Sequence, residues 1–269
     1  MAVLRANGLD IAYERVGTGP PIVLLHGAGL DGRMWRPQLA GLKDEFTVVA
    51  WDEPGAGQSS DVPADFELSD YATSLAELID LLDVGPVHLG GLSWGGTVAL
   101  ELYRQRPDLV ATLVLADTYA GWKGSLPIDE VLARVAGVRQ MLAVAPESFD
   151  PTLPRLFAGE TPAEFVSLME AMAADVRADS FQTALLVMAE TDQRDLLPQV
   201  VVPTLLIWGE LDARSPLSVA RQFMNAVADA KLVVIDGAGH ISNLEAPERF
   251  TVAVREFCRA NSPHGAASE

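Results

Sequence analysis

Cysteine is almost missing: Cys258 is the only one among 269 residues. No intramolecular disulfide can form, and no cysteine cluster exists to hold a metal. Histidine, cysteine and aspartate spacings of ligand type are lacking too, so no metal and no other cofactor is expected. Positive charge is scarce. Nineteen Lys and Arg face 37 Asp and Glu, a formal net charge of −18. A phosphate backbone repels such a chain, which argues against nucleic acid as a partner, and an anionic membrane surface is disfavoured for the same reason. Long apolar runs are lacking as well. Stretches such as Leu205–Trp208 fall far short of a membrane span. The opening MAVLRANGLD has no apolar leader core. A cytoplasmic protein is the expectation, as a monomer or homodimer. With 49% hydrophobic residues, the bulk of the chain is too apolar for disorder and long enough for one large core.

What is present is a regular alternation. Ile22–Leu25, Phe46–Trp51 and Val87–Leu89 are apolar, β-branched runs followed by small or turn-forming residues. Such runs read as strands buried on both faces of a parallel sheet. Leu109–Ala116, Thr204–Trp208 and Lys231–Ile235 read as further strands. Between them, Leu75, Leu78, Ile79 and Leu82 carry helical spacing over 68–82, with Ser69 and Asp70 as candidate caps. A second helix starts near Trp94 and stops before Pro107. Others fill 217–227 and 246–258. Asn7-Gly8 between Val3–Ala6 and Leu9–Tyr13 signals a hairpin. The expected fold is α/β, a mostly parallel doubly wound sheet with an antiparallel N-terminal edge.

One stretch breaks the rhythm. Residues 119–195 show no convincing strand. They hold Met141, Met169, Met172 and Met188, and Pro127, Pro146, Pro151, Pro154 and Pro162 cut them into short helices. We expect a core domain from 1–118 and 196–260, an inserted helical cap from 119–195, and a flexible tail from 261–269. Ligands in open α/β sheets bind beyond the carboxyl ends of the strands, where such a cap would sit.

The sharpest motif is Gly91-Leu92-Ser93-Trp94-Gly95, G-x-S-x-G between a buried strand and a helix. There a serine stands on a tight turn with its hydroxyl above the sheet, beside the positive helix N-terminus. It needs a base. Among four histidines, His264 lies in the tail and His88 inside a strand. His26 follows the strand IVLL and reads as a brace for its loop. His240, in Asp236-Gly237-Ala238-Gly239-His240, follows the last strand and is the candidate base. Asp212, in Gly209-Glu210-Leu211-Asp212, is the candidate orienting acid. Two rivals stay open: Glu210, which could hold a loop, and Asp117, at the end of the preceding sheet strand. Backbone N–H groups of Trp94 and of Ala28, or Gly29, would form an oxyanion hole.

The pieces LLHGAG (24–29), WDEPGAGQS (51–59), GGLSWGG (90–96), GELD (209–212), GAGH (237–240) and EAPERF (245–250) together resemble the α/β-hydrolase superfamily, over about residues 3–259. The turn Asp52-Glu53-Pro54-Gly55 departs from an arginine-glycine pair frequent in relatives and is read as structural. Among single-domain members the chain looks most like enol-lactonases, small esterases, meta-cleavage carbon–carbon hydrolases and cofactor-free haloperoxidases. Serine at 93 speaks against epoxide hydrolases and haloalkane dehalogenases, which would carry aspartate. The resemblance implies an acyl-enzyme hydrolase acting on a small ester or lactone. Carbon–carbon hydrolysis, a triad-using lyase or cyclase, and a ligand receptor remain alternatives.

For the pocket, Gly27, Gly29, Trp122, Met141, Phe157 and Phe165 are candidates, with Trp94 and Met169 adding apolar surface. Arg33, Arg36 and Arg214 would matter for a carboxylate-bearing substrate. Arg214 reads as a solvent-exposed loop charge, so a neutral or mildly polar ester or lactone is expected.

Overall fold

The computed structural model describes residues 1–142 and 155–262. Eight strands form one sheet: β1 (Ala2–Ala6), β2 (Leu9–Val16), β3 (Pro21–Leu25), β4 (Thr47–Trp51), β5 (Val87–Leu92), β6 (Val110–Ala116), β7 (Thr204–Gly209) and β8 (Ala230–Ile235). Their order is β1-β2-β4-β3-β5-β6-β7-β8. β1 and β2 form the expected hairpin over Asn7-Gly8, β2 runs antiparallel to β4, and every later pairing is parallel.

Alternation along the strands fills both faces. Val23, Leu25, Val49, Trp51, Leu89, Leu113, Leu206 and Trp208 belong to one core cluster. Helices α2 (Leu68–Leu82), α3 (Trp94–Gln105) and α8 (Leu217–Ala226) pack there through residues such as Leu75, Val98 and Phe223. Ile22, Leu24, Val48, Ala50, Val114 and Ile207 belong to the other, with α1 (Arg36–Leu42) and α10 (Pro247–Asn261) supplying Leu39 and Phe250. That period of two explains why the inner strands read as continuous apolar runs. One cap is corrected. Helix α2 begins at Leu68, two residues before Asp70, and Glu67 is its N-cap: the Glu67 backbone N–H donates to the Asp70 carboxylate at 2.9 Å.

Between β6 and β7 the described residues of 119–195 carry no strand. They form α4 (Trp122–Ser125), α5 (Ile128–Leu142), α6 (Val166–Ala174) and α7 (Ala178–Glu190). Pro127 and Pro162 mark helix starts as expected. Pro146, Pro151 and Pro154 lie outside the described residues, as does the tail beyond residue 262, whereas Asn261 closes α10. No helix among the described residues is long and apolar enough to cross a membrane. A short α9 (Ser242–Glu245) precedes α10.

The β5–α3 junction is held from below. Ser93 sits at φ 55°, a conformation few side-chain-bearing residues adopt. Its backbone N–H donates to the Ala116 carbonyl at 2.9 Å, and the Thr118 hydroxyl donates to its carbonyl. A Cβ on Gly95 would collide with the carbonyl oxygens of Leu25 and His26, so glycine there is what lets α3 approach the end of β3. Beneath the turn, the Trp94 indole N–H donates to the buried Glu53 carboxyl at 2.5 Å, and Tyr71 meets the indole edge-on at 5.2 Å. The Glu53 backbone N–H donates to His26 Nε2 at 3.0 Å, which leaves the ring proton on Nδ1, 2.9 Å from the Gly27 carbonyl. His26 thus braces its loop. Burial pushes the Glu53 carboxyl well above its ordinary value of 4.5; the indole N–H pulls it down less, and Asp52 adds to the rise.

Two outcomes are expected. Gly95→Ala should cost about 1–3 kcal/mol in urea unfolding, because both obstructing atoms are backbone. Native Glu53 keeps its proton where the unfolded chain releases it, so its contribution to stability falls as pH rises above 4.5. Glu53→Gln keeps an acceptor for the indole and has no proton to lose. Its stability relative to the native chain should therefore rise as pH is raised above 4.5; a pH-independent difference contradicts a neutral Glu53.

Candidate active site

The carboxyl ends of β3, β5, β6, β7 and β8 present five loops on one side of the sheet. Ser93 leaves β5, Asp212 follows β7, and His240 follows β8. They meet although 147 residues separate Ser93 from His240. Ser93 Oγ lies 2.9 Å from His240 Nε2, and His240 Nδ1 lies 2.8 Å from an Asp212 carboxylate oxygen. With Asp212 accepting at Nδ1, the neutral ring carries its proton there and offers a lone pair to the serine hydroxyl. The other Asp212 oxygen accepts the backbone N–H groups of Arg214 and Ser215, both at 2.8 Å. Both carboxylate oxygens are therefore engaged, which fixes the carboxylate and through it the imidazole.

The rival acids hold loops. Asp117 accepts the Gly209 N–H at 2.8 Å and the Ser242 hydroxyl at 2.5 Å, tying β6 to β7 and to α9. Burial and then the nearby Asp212 charge push its carboxyl well up; the bonds from Ser242 and Gly209 offset only part. Glu210 accepts the Gly237 N–H at 3.0 Å and closes the loop before His240. His88 is a structural link, 2.8 Å from the Thr112 hydroxyl and 3.0 Å from that of Ser262.

His240 is buried, and burial is the main cause that pulls its pKa below 6.5. Asp212 works in the opposite direction by charge and hydrogen bond, while Arg214 and Arg134 lower it further. The Tyr119 ring stands 6.2 Å from the imidazole, and burial pushes its phenol up to about 12.

A small, partly open pocket lies above Ser93. Leu30 and Leu92 line it from the sheet side, Leu156, Leu185 and Met188 from the segment between β6 and β7, and Ile241 from the loop after β8. Gly27 and Ala28 border it, and Trp94 opens α3 directly behind Ser93. Several expected pocket residues stand elsewhere. The Trp94 side chain is turned down onto Glu53 and Tyr71. Gly29 faces Phe181 in a neighbouring crevice. Trp122 is buried with Arg134 stacked 5.3 Å from its ring centre. Phe157, Phe165 and Met169 pack against the core cluster of α1 and α10. The Met141 side chain lies outside the described residues.

The arginines also differ from expectation. Arg33 bonds Asp31 and Asp175, each at 2.6 Å, and so joins the loop after β3 to the end of α6. Arg36 is exposed. Arg214, expected in solvent, is partly buried and lines the pocket beside Ser93 and His240. A link invisible in the sequence holds this loop: Arg134 of α5 donates to the Arg214 carbonyl at 2.6 Å and to the Tyr119 hydroxyl at 3.1 Å.

Comparison with known proteins agrees with this architecture. The chain is 28% identical over 257 residues to an (E)-2-((N-methylformamido)methylene)succinate hydrolase of Acinetobacter baylyi, covering 94% of this chain and 95% of that one. It superposes on a thermophilic esterase from Thermogutta terrifontis, solved with malate bound, with TM-score 0.83 and 32% identity over 97% of this chain and 99% of that one. An enol-lactonase from Burkholderia xenovorans gives TM-score 0.80 and 27% identity over 96% of this chain and all of that one. The model of the alpha/beta hydrolase family matches residues 22–254. With that match and this sheet, the chain belongs to the alpha/beta hydrolase family.

Proposed function

We propose that the chain is a serine hydrolase that cleaves a small carboxylic ester or lactone through an acyl-enzyme on Ser93. One observation carries the reading: the unbroken hydrogen-bonded chain from Ser93 through His240 to Asp212 at the floor of a small apolar pocket. The esterase and enol-lactonase among the similar structures support the same bond type.

His240 takes the Ser93 hydroxyl proton while the oxygen attacks the carbonyl carbon. The tetrahedral oxyanion is met by the backbone N–H groups of Trp94 and Ala28. Asp212 stabilises the imidazolium. His240 returns the proton to the departing alkoxide, leaving an acyl-serine. Water, deprotonated by the same ring, then releases the acid and restores the hydroxyl. Residues 119–195 act as a cap over a core made of 1–118 and 196–260, and Leu185 and Met188 of α7 roof the pocket.

A second reading has one observation in its favour. Carbon–carbon hydrolysis of a dienone-type substrate would use the same triad but needs a cation for the substrate carboxylate, and Arg214 lines the pocket. The ester reading stands first because it needs the triad alone and because an esterase and an enol-lactonase are among the similar structures.

Ser93→Ala should lower turnover of an activated aryl ester by roughly 10⁴-fold or more. Unchanged turnover would sink the reading. Asp212→Asn should lose on the order of 10³–10⁴-fold, because the wrong tautomer of His240 would be favoured, and Asp117→Asn far less. Equal losses would return Asp117 to the role of acid. The base works only when neutral, and its pKa lies below 6.5. The acid limb of kcat/KM should therefore have its midpoint below 6.5, with activity lost as pH falls through it. A midpoint above 7 contradicts His240 as the base in this setting.

A further inference from the structure

We propose that Glu53 is a positioning residue for the reaction: it holds both halves of the oxyanion hole, Trp94 through its carboxyl and Ala28 through its backbone N–H and His26. The inference rests on the serine-hydrolase reading and adds to it a residue outside the hydrogen-bonded chain of Ser93, His240 and Asp212.

The two donors of the hole stand on different segments. The Trp94 N–H opens α3, and the Ala28 N–H lies in the loop after β3. Among the described residues neither has a protein acceptor, so both are available to a developing oxyanion. Their direction then matters most, because such donors stabilise charge only when they already point at the oxygen.

Glu53 follows the end of β4 on a turn closed by its own carbonyl, which accepts the Ala56 N–H at 2.9 Å. The residue is 4% exposed, and its carboxyl accepts the Trp94 indole N–H at 2.5 Å. The indole is wholly buried and has Tyr71 edge-on against it, so it cannot turn without breaking that bond. At the first position of α3 no helical bond holds the Trp94 N–H, and the anchored ring is what fixes the residue. Burial pushes the Glu53 carboxyl well above 4.5, so it grips the indole as a neutral acid and sets no negative charge behind the hole.

The second link runs through the backbone. The Glu53 N–H donates to His26 Nε2 at 3.0 Å, and His26 Nδ1–H donates to the Gly27 carbonyl at 2.9 Å. The Leu30 N–H donates to the same carbonyl at 3.2 Å. That carbonyl and the Ala28 N–H share one planar peptide group and point in opposite directions. Holding the oxygen on one side aims the N–H to the other, and Ala28 borders the pocket above Ser93. Any residue except proline would supply the N–H at position 53. The carboxyl is what adds the indole, so Glu53→Leu removes the first link and keeps the second.

The test reads oxyanion stabilisation separately from binding. Turnover of 4-nitrophenyl butyrate gives kcat and KM. Inhibition by 1,1,1-trifluoropentan-2-one gives the affinity for the tetrahedral state: the Ser93 oxygen bonds to the carbonyl carbon, the π pair moves onto the carbonyl oxygen, and His240 keeps the hydroxyl proton. Pentan-2-one, too unreactive to add, gives ground-state binding. All rates are counted per Ser93 titrated to completion by a fluorophosphonate, so unfolded chains drop out. Glu53→Leu should lower kcat by about 10- to 100-fold and weaken the trifluoroketone by a similar factor, with KM and pentan-2-one binding within about threefold of native. Trp94→Phe, which keeps the backbone N–H and removes the indole donor, should show the same split, and the double variant should lose no more than either single one. Glu53→Gln restores an acceptor and should recover most of the lost kcat. His26→Leu should show the split through the other donor. Native kcat in Glu53→Leu, Trp94→Phe or His26→Leu overturns the proposal, as does a loss shared by KM and pentan-2-one or one that adds in the double variant; each leaves the hydrolase intact. If the native protein turns over no ester and binds the trifluoroketone no better than pentan-2-one, it is the serine-hydrolase reading that fails.

Discussion

The structure depends on one close approach, the junction of β5 with α3. Ser93 is forced to a positive φ there because strand and helix must meet within a single residue. The cost of that backbone, of order 1–3 kcal/mol, is sustained by contacts that arrive from three directions. The Ala116 carbonyl and the Thr118 hydroxyl grip the Ser93 backbone from β6, the end of β3 closes over Gly95, and Glu53 and Tyr71 hold the indole of Trp94 from below. None of these groups touches the serine hydroxyl, yet each fixes where it points. A hydroxyl presented this way already lies within hydrogen-bond distance of His240, so little reorganisation separates the resting arrangement from proton transfer.

Two buried carboxylic acids illustrate how the same burial serves different ends. Glu53 and Asp117 both sit where charge is penalised, and both act as acceptors that join loops. Asp212 lies near Asp117 and, like it, has a donor on each oxygen, but at Asp212 one of those donors is the imidazole. The difference between a loop anchor and an orienting acid is thus a matter of which hydrogens reach the oxygens. Among the arginines, Arg33 meets two carboxylates and joins the loop after β3 to the end of α6.

The middle of the sheet was legible because its inner strands are buried on both faces and therefore carry no polar alternation to confuse with a helix. The glycines and prolines that follow them marked the loops. The order of Ser93, Asp212 and His240, each directly after a strand, was legible for the same reason, since parallel strands deliver their carboxyl ends to one side. The pocket walls were not. Phe157 and Phe165 look like lining from composition alone, but they turn toward the α10 side of the core, and Leu185 and Met188 take the pocket instead. Helical periodicity says which side of a helix is apolar, not which of two apolar neighbours it will face. Arg214 read as solvent-exposed because its own loop supplies nothing to bury it. A residue that reaches its backbone carbonyl, Arg134, stands 80 positions earlier on α5. Glu53 was read as a structural turn, and its bond to the Trp94 indole is invisible until β4 and α3 are placed side by side.

The central claim is that Ser93 becomes covalently acylated. Intact-mass and peptide-mapping mass spectrometry, after mixing the native chain with a fluorophosphonate and separately with an activated aryl ester, addresses it most directly. The account predicts one adduct per chain, mapped to Ser93, with burst release of the aryl alcohol from the ester. A folded protein whose Ser93 stays unlabelled by both reagents would contradict it, and would turn attention to chemistry in which His240 moves protons without an acyl-serine.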